Sequence, residues 1–135
     1  MHDIITLIQQ HIVTALQTDP EISNIVTGVY DQAPKQLALP YIEIASVSAE
    51  LLPNVARRTY RGIAILRYHE NYNGKQDSLS FIGIVMDAVN NIISDNSLFN
   101  IIISDVQIVS QNTDTKNNLL ATEISVELYI DRIGE

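Results

Sequence analysis

The residues able to do chemistry are few, and their spacing argues against a catalytic centre. The three histidines, His2, His11 and His69, form neither HxxH nor HExxH, and no two lie within the four residues that would put both on one helix face for a metal. With no cysteine in the chain, thiolate nucleophiles, thiolate metal sites and disulfides are excluded. The five glycines, Gly28, Gly62, Gly74, Gly83 and Gly134, are scattered singly, so no GxxxxGK or GxGxxG loop can cradle a phosphate and no GxSxG elbow exposes a serine. Sixteen carboxylates could hold an acid–base pair. Glu123 and Glu127, on one face of an expected strand, stand roughly 13 Å apart, too far to share a proton. No residue set fills the roles of nucleophile, base and transition-state stabiliser, so the sequence reads as a protein without enzymatic activity, cofactor or metal.

What remains is charge. A formal net charge of −8 disfavours tight nucleic-acid binding, which needs lysines and arginines to displace counterions from phosphates. Half of the eight cations nevertheless crowd into one stretch as Arg57, Arg58, Arg61 and Arg67. They read either as solvated strand-end residues that guard an apolar hairpin, or as an interface that meets a neighbouring subunit's carboxylates or the phosphates of passing DNA. Arg57 and Arg61 share a face, and Arg58 points the other way. The carboxylates of the last strand, Glu123, Glu127 and Asp131, read either as a solvated sheet face or as an acidic wall that keeps DNA from sticking in a channel.

The elements that must position these groups follow from periodicity. At 135 residues the chain fits one domain, 1–135, and its apolar residues are mainly aliphatic, with no Trp and only two Phe, so an aliphatic core is expected. Residues 3–17 carry Ile5, Ile8, Ile12 and Leu16 at helical spacing, stopped by Asp19-Pro20. Pro20 opens a short second turn that Gly28 ends. The start of the chain has no basic n-region and no long apolar run, so neither a signal peptide nor a membrane span is expected.

Val29-Tyr30 is a brief extended piece. Pro34 and Pro40 then stiffen an exposed connection by pushing Ala33 and Leu39 out of the α region. Tyr41–Leu51 alternates as a strand, 52–56 is a turn, and Arg57–His69 is apolar on both faces at its centre, as expected of a central strand covered on both sides; the two form a long hairpin. After an Asn-Gly loop at 71–74, Asp77 caps a helix over 77–91 whose stripe is Leu79, Ile82, Met86, Val89 and Ile93. Ile101–Ser110 and Leu119–Ile130 are strands joined by the polar connection QNTDTKNN. In the last strand Leu120, Thr122, Ile124, Val126, Leu128 and Ile130 share the core face. The expected class is α+β: a mainly antiparallel or mixed sheet of four to five strands, packed against two main helices.

This order of elements, with the wording VYDQAPKQLALPYIEI, resembles the tail-completion or tail-terminator proteins of long-tailed bacteriophages and gene transfer agents. In that family a VY…P…PY segment follows an N-terminal helical region; here it falls on Val29, Tyr30, Pro34, Pro40 and Tyr41. The sequence departs from the pattern in having no Trp in the hairpin strand, where Tyr60 and Tyr68 stand instead. The resemblance implies a structural protein whose subunits form a ring, a hexamer, that caps the tail tube and joins it to the head neck.

Its implied partners are further copies of itself, the tail tube protein and the head–neck connector, with DNA passing through the lumen without sequence-specific binding and no membrane involved. The implied location is the bacterial host cytoplasm during assembly, then the phage, prophage-derived or gene-transfer-agent particle. Tyr30, Asp31, Pro34, Pro40, Tyr41, Arg57, Arg58, Arg61 and Arg67 become candidates for subunit contacts, and Glu123, Glu127 and Asp131 for the lumen. A head–neck completion or tail-assembly protein, and a small ligand-binding or adaptor module, are the alternatives.

Overall fold

The first helix, α1 (His2–Thr18), forms where apolar residues recur every three to four positions. In the computed structural model it buries Ile4, Leu7, Ile8, Ile12 and Leu16. The expected stripe began at Ile5; the buried one begins at Ile4, and Ile5 is half-buried. The structure describes residues 2–30, 39–53, 59–71, 77–90, 99–114 and 116–132. Among these, no helix is long and apolar enough to cross a membrane.

Helix α1 stops because Asp19 opens the next helix, α2 (Pro20–Ser23). Its carboxylate accepts hydrogen bonds from the backbone N–H of Glu21 at 2.9 Å and of Ile22 at 3.2 Å, satisfying donors that have no partner within a helix's first turn. This seats Ile22, which is fully buried. Gly28 was expected to end the turn, but Asn24 closes it through its backbone N–H to Pro20. Gly28 instead lies just before strand β1: a Cβ there would lie 2.5 Å from the Tyr30 hydroxyl, and its carbonyl accepts from the Ile42 N–H.

Strands β1 (Val29–Tyr30), β2 (Tyr41–Leu51), β3 (Thr59–Asn71), β4 (Phe99–Asp114) and β5 (Leu119–Arg132) make one sheet in the order β1-β2-β3-β5-β4. β1 runs parallel to β2 and every other neighbouring pair is antiparallel, so the sheet is mixed and the α+β class holds. Between β3 and β4 lies α3 (Asp77–Asn90), which buries Ile82, Val85 and Val89. α1 packs on β1, β2 and β3, and α3 on β4.

Three single-residue bulges keep the apolar side of each strand turned toward these helices. In β2 the register shifts between Ile44 and Ser46, so Ala45 is an extra residue. Ile42 and Ile44 before it, and Val47 and Ala49 after it, then point the same way. In β4 the register shifts at Ser104 and again at Val109. These shifts put Ile101, Ile103, Val106 and Ile108 opposite the core-facing Ile130, Leu128, Val126 and Ile124 of β5.

Two expectations are corrected. β3 is the central strand, but the helices cover one of its faces only; on the other, Ile63 and Ile65 are half-buried among charged neighbours. The stretch QNTDTKNN is not all connection, because β4 continues to Asp114, paired with β5 as far as Leu119. Cross-strand pairing outweighs the polar composition: Gln111 donates to the hydroxyl of Thr122 at 3.1 Å, and Thr122 is fully buried. The remaining turn is closed by Asp114, which accepts from Asn117 N–H and Nδ2, and by Asn118 at φ 56°, a left-handed conformation that asparagine tolerates.

The helical layer approaches the sheet closely at Gly62, where an added Cβ would lie 2.8 Å from Ile8 Cδ1. Gly62→Val is expected to lower unfolding stability by about 1–3 kcal/mol through overpacking. Ile124→Ala, at a fully buried position, is expected to cost about 2–5 kcal/mol through a cavity. Urea titrations followed by circular dichroism measure both.

Candidate functional site

Because side chains alternate along a strand, everything the core rejects is gathered on the sheet face away from the helices. β3 offers Thr59, Arg61, Ile63, Ile65, Arg67 and His69 to that face. β5 lies beside it, with Arg67 opposite Glu123, Ile63 opposite Glu127 and Thr59 opposite Asp131. β2 on the other flank adds Glu43 opposite Arg67 and Glu50 opposite Arg61. The register therefore brings the two expected clusters, arginines and carboxylates, onto one face.

Each arginine is held between two carboxylates. Arg67 donates through Nε at 3.0 Å and Nη2 at 2.7 Å to Glu123 Oε2, and through Nη1 at 3.4 Å to Glu43 Oε1. Arg61 donates through Nε to Glu127 Oε2 at 2.7 Å, is paired with the same oxygen through Nη2, and reaches Glu50 at 3.5 Å. Serines of β4 complete the carboxylates: Ser110 donates to Glu123 at 3.3 Å, and Ser104 to Glu127 at 3.0 Å. Thr59 donates to Asp131 at 2.6 Å. One row thus runs across four strands from Glu43 through Arg67 and Glu123 to Ser110, and a second from Glu50 through Arg61 and Glu127 to Ser104.

At one end of this face, aromatic rings replace charges. Tyr41 stacks on His69 with centroids 4.5 Å apart and meets Tyr30 edge-on at 6.2 Å. His69 Nε2 lies 2.7 Å from Glu43 Oε1, which ties the rings to the first charged row. Pro40 precedes them through a cis bond from Leu39, and its carbonyl accepts from the N–H of Thr27 at 2.8 Å. Leu39 and Pro40 are half-buried, where the connection was expected to be exposed. Asp31, Pro34, Arg57 and Arg58 lie outside the described residues.

The electrostatics describe stabilised ions. The Arg67 guanidinium, with help from Ser110, holds Glu123 below the usual carboxylate range. The Ser104 hydroxyl and then Arg61 do the same for Glu127. Hydrogen bonding to the same carboxylates raises both arginines. Burial and then Glu43 raise Tyr41. A general acid needs the opposite, a carboxyl pushed upward to keep its proton near neutrality. His69 and Glu43 converge, but the Arg67 guanidinium on the same Glu43 oxygen repels any cation placed between them, and among the described residues no three His, Asp or Glu side chains group around a metal position. The arrangement can hold a surface rigid and present negative charge.

Glu43, Glu50, Ser104 and Ser110 were not singled out from the sequence, and His69 was considered only as a metal ligand and set aside. Glu43 was legible as a wet-face residue of its strand, but its partners depend on strand order.

Fold and face together define the class: an α+β domain with one helical layer and one bare, charge-laced sheet face. No protein-family model matches the chain, and no curated protein matches it. Among solved structures it is similar to a chain from the virion of a native gene transfer agent particle. That likeness has a TM-score of 0.65 over 89% of this chain and 91% of the other, with 13% of residues identical. At that identity it is a likeness of fold.

The depressed carboxylates carry a pH dependence. Glu123 and Glu127 bind a proton less readily folded than unfolded, so their contribution to stability is complete above the unfolded carboxylate range, about pH 4–5, and is lost as pH falls through their lower folded values. Urea midpoints of the wild type are expected to fall faster than those of Glu123→Gln/Glu127→Gln as pH drops from 6 to 2. Parallel curves would remove the ion pairs from the account of stability.

Proposed function

We propose that the chain is a structural subunit of a phage-like particle, a tail terminator whose ring, a hexamer, caps the tail tube, stops its polymerisation and joins it to the head neck. The observation that carries this reading is the backbone likeness to a gene transfer agent virion chain over about nine-tenths of both chains. The order of elements and the Val29-Tyr30 to Pro40-Tyr41 wording agree with it. The subunit acts by shape and charge, as a non-catalytic protein with no cofactor. Its partners are copies of itself, the tube protein and the head–neck connector, and it passes from the host cytoplasm into the particle.

In this reading the helix-free face lines the lumen. Its arginines, Arg61 and Arg67, are already claimed by Glu127, Glu50, Glu123 and Glu43, and each set of one guanidinium and two carboxylates is net negative. DNA moving past meets repulsion and, among the described residues of this face, guanidinium groups that are already paired. Tyr30, Pro40 and Tyr41 at one end of the sheet, Asp31 and Pro34 between them in sequence, and Arg57 and Arg58, which in sequence precede the opposite end of β3, serve subunit contacts, where a proline-stiffened connection loses little entropy on docking.

Tail length measured by electron microscopy in particle-producing cells lacking this chain tests the role. Tubes longer than the wild-type length are expected. Tails of normal length that fail to join heads would assign the chain to neck completion instead.

The lumen assignment has its own test. Glu123→Gln/Glu127→Gln leaves each guanidinium only its longer contact, to Glu50 or Glu43, removes the surplus negative charge, and is expected to reduce DNA delivery by roughly tenfold, while adding Arg61→Gln/Arg67→Gln restores it. Delivery unchanged in the double variant would remove the face from the DNA path.

A further inference from the structure

β4 is the outer strand at one end of the sheet and, at 16 residues, its longest. Exposed strand edges are usually blunted by lysine, proline or bulges; β4 contains no lysine, proline or arginine, and its two bulges, at Ser104 and Val109, leave Asp105–Ile108 regular between them. It also leaves Ile102, Ile108 and Val109 at 51%, 41% and 55% exposure. A second open edge lies across the sheet. β1 pairs only with Ile42 and Glu43, so among the described residues nothing pairs with the outer side of β2 from Ala45 to Leu51, and Leu51 is 48% exposed.

The two edges fit one another without inversion of the sheet. β2 runs antiparallel to β3, β3 to β5 and β5 to β4, so β4 runs antiparallel to β2. A copy added beside β4 in the same orientation therefore presents its β2 in the favourable antiparallel sense, with both helical layers on one side and both charged faces on the other.

One register suits the side chains. With Val106 opposite Leu51 and Ile108 opposite Ala49, the core-side residues of both edges meet. On the bare face the Gln107 amide then stands beside Glu50, and Asp105 passes beyond the end of β2. A register two residues away would set Asp105 against Glu50, a like-charge pair that disfavours it.

We propose that β4 of one copy, through Val106–Ile108, adds to the Ala45–Leu51 edge of β2 in a second copy of this chain, so that the sheet continues from subunit to subunit. The contact is heterologous, as a ring requires, and it rests on the ring reading above. The open β2 edge allows a ladder of at most seven residues, about 23 Å long and 10 Å thick, which covers no more than roughly 500 Å² on the two sides together, below the about 1,000 Å² typical of a specific pair. One contact alone is weak. Closure gives every subunit two.

The absence of cysteine allows a clean test. Residues directly opposite in an antiparallel ladder place their Cβ atoms within about 4.5–5.5 Å, close to disulfide reach. Gln107→Cys and Glu50→Cys chains, each checked for native circular dichroism, are mixed under mild oxidation. Crosslinking of the mixture is expected to run at least about tenfold faster than in either variant alone. Gln107→Cys homodimers forming as fast as the mixed species would overturn the proposal in favour of a two-fold β4–β4 contact. A mixed rate no higher than that of a Thr14→Cys/Gln107→Cys mixture, with one thiol on the exposed side of α1, would overturn it outright. Native mass spectrometry of the wild type separates the two readings. Closed rings without the crosslink would refute the edge contact alone, and the crosslink without closed rings would support the contact and refute the ring.

Discussion

The constraint on which the structure depends is the phase of side chains along its strands. A strand has a period of two, so a slip of one residue sends its whole apolar set to the wrong side. Here that set must face α1 and α3 over strands of up to 16 residues, and no strict alternation in the sequence maintains it. The extra residues Ala45, Ser104 and Val109 absorb the mismatches. With them, Ile42, Ala64, Leu66, Ile124, Val126, Leu128 and Ile130 fall into one core cluster. Without them, half of β2 and the middle of β4, from Asp105 to Ile108, would turn aliphatic residues outward and carboxylates inward, where an unpaired charge is costly to bury.

The bare face inherits its chemistry from the same constraint. Strand order places β3 between β2 and β5, so the arginines of β3 have carboxylates on either side. Exposed ion pairs contribute little to stability, and these side chains are between one-fifth and two-thirds exposed. Their value lies elsewhere. Shared contacts tie three strands side by side, discourage registers that would put carboxylates against one another, and leave both guanidinium groups occupied. A face so arranged is stiff and net negative and, among its described residues, has no unpaired guanidinium to capture a polyanion.

Local features of the fold were legible in the sequence where local physics decides them. The bounds of β2, the start of α3 at Asp77 and the core face of β5 follow from periodicity and capping alone. The errors have local causes too. Ile4 and Ile5 are adjacent, so the stripe of α1 can be started on either, and only packing against the sheet selects Ile4. In β4 the run Ile101-Ile102-Ile103 fits either phase, and the bulge at Ser104 that settles it carries no mark in the sequence. The polar composition of Gln111–Asp114 reads as loop until β5 lies alongside.

The candidate site was legible as two halves and not as a whole. Arg61, Arg67, Glu123 and Glu127 were marked by charge against an apolar background, but 56 residues separate Arg67 from Glu123, and alternation assigns a face without assigning a neighbour. The strand order that joins them puts β5 between β3 and β4, so the last of the described strands lies inside the sheet and not at its edge. That insertion converts an apparent cationic patch and an apparent acidic patch into one neutralised lattice with surplus negative charge. A surface that looks from the sequence like two complementary docking patches is thereby satisfied within its own subunit. What the sheet leaves unsatisfied among the described residues is the backbone and aliphatic side chains along its edges.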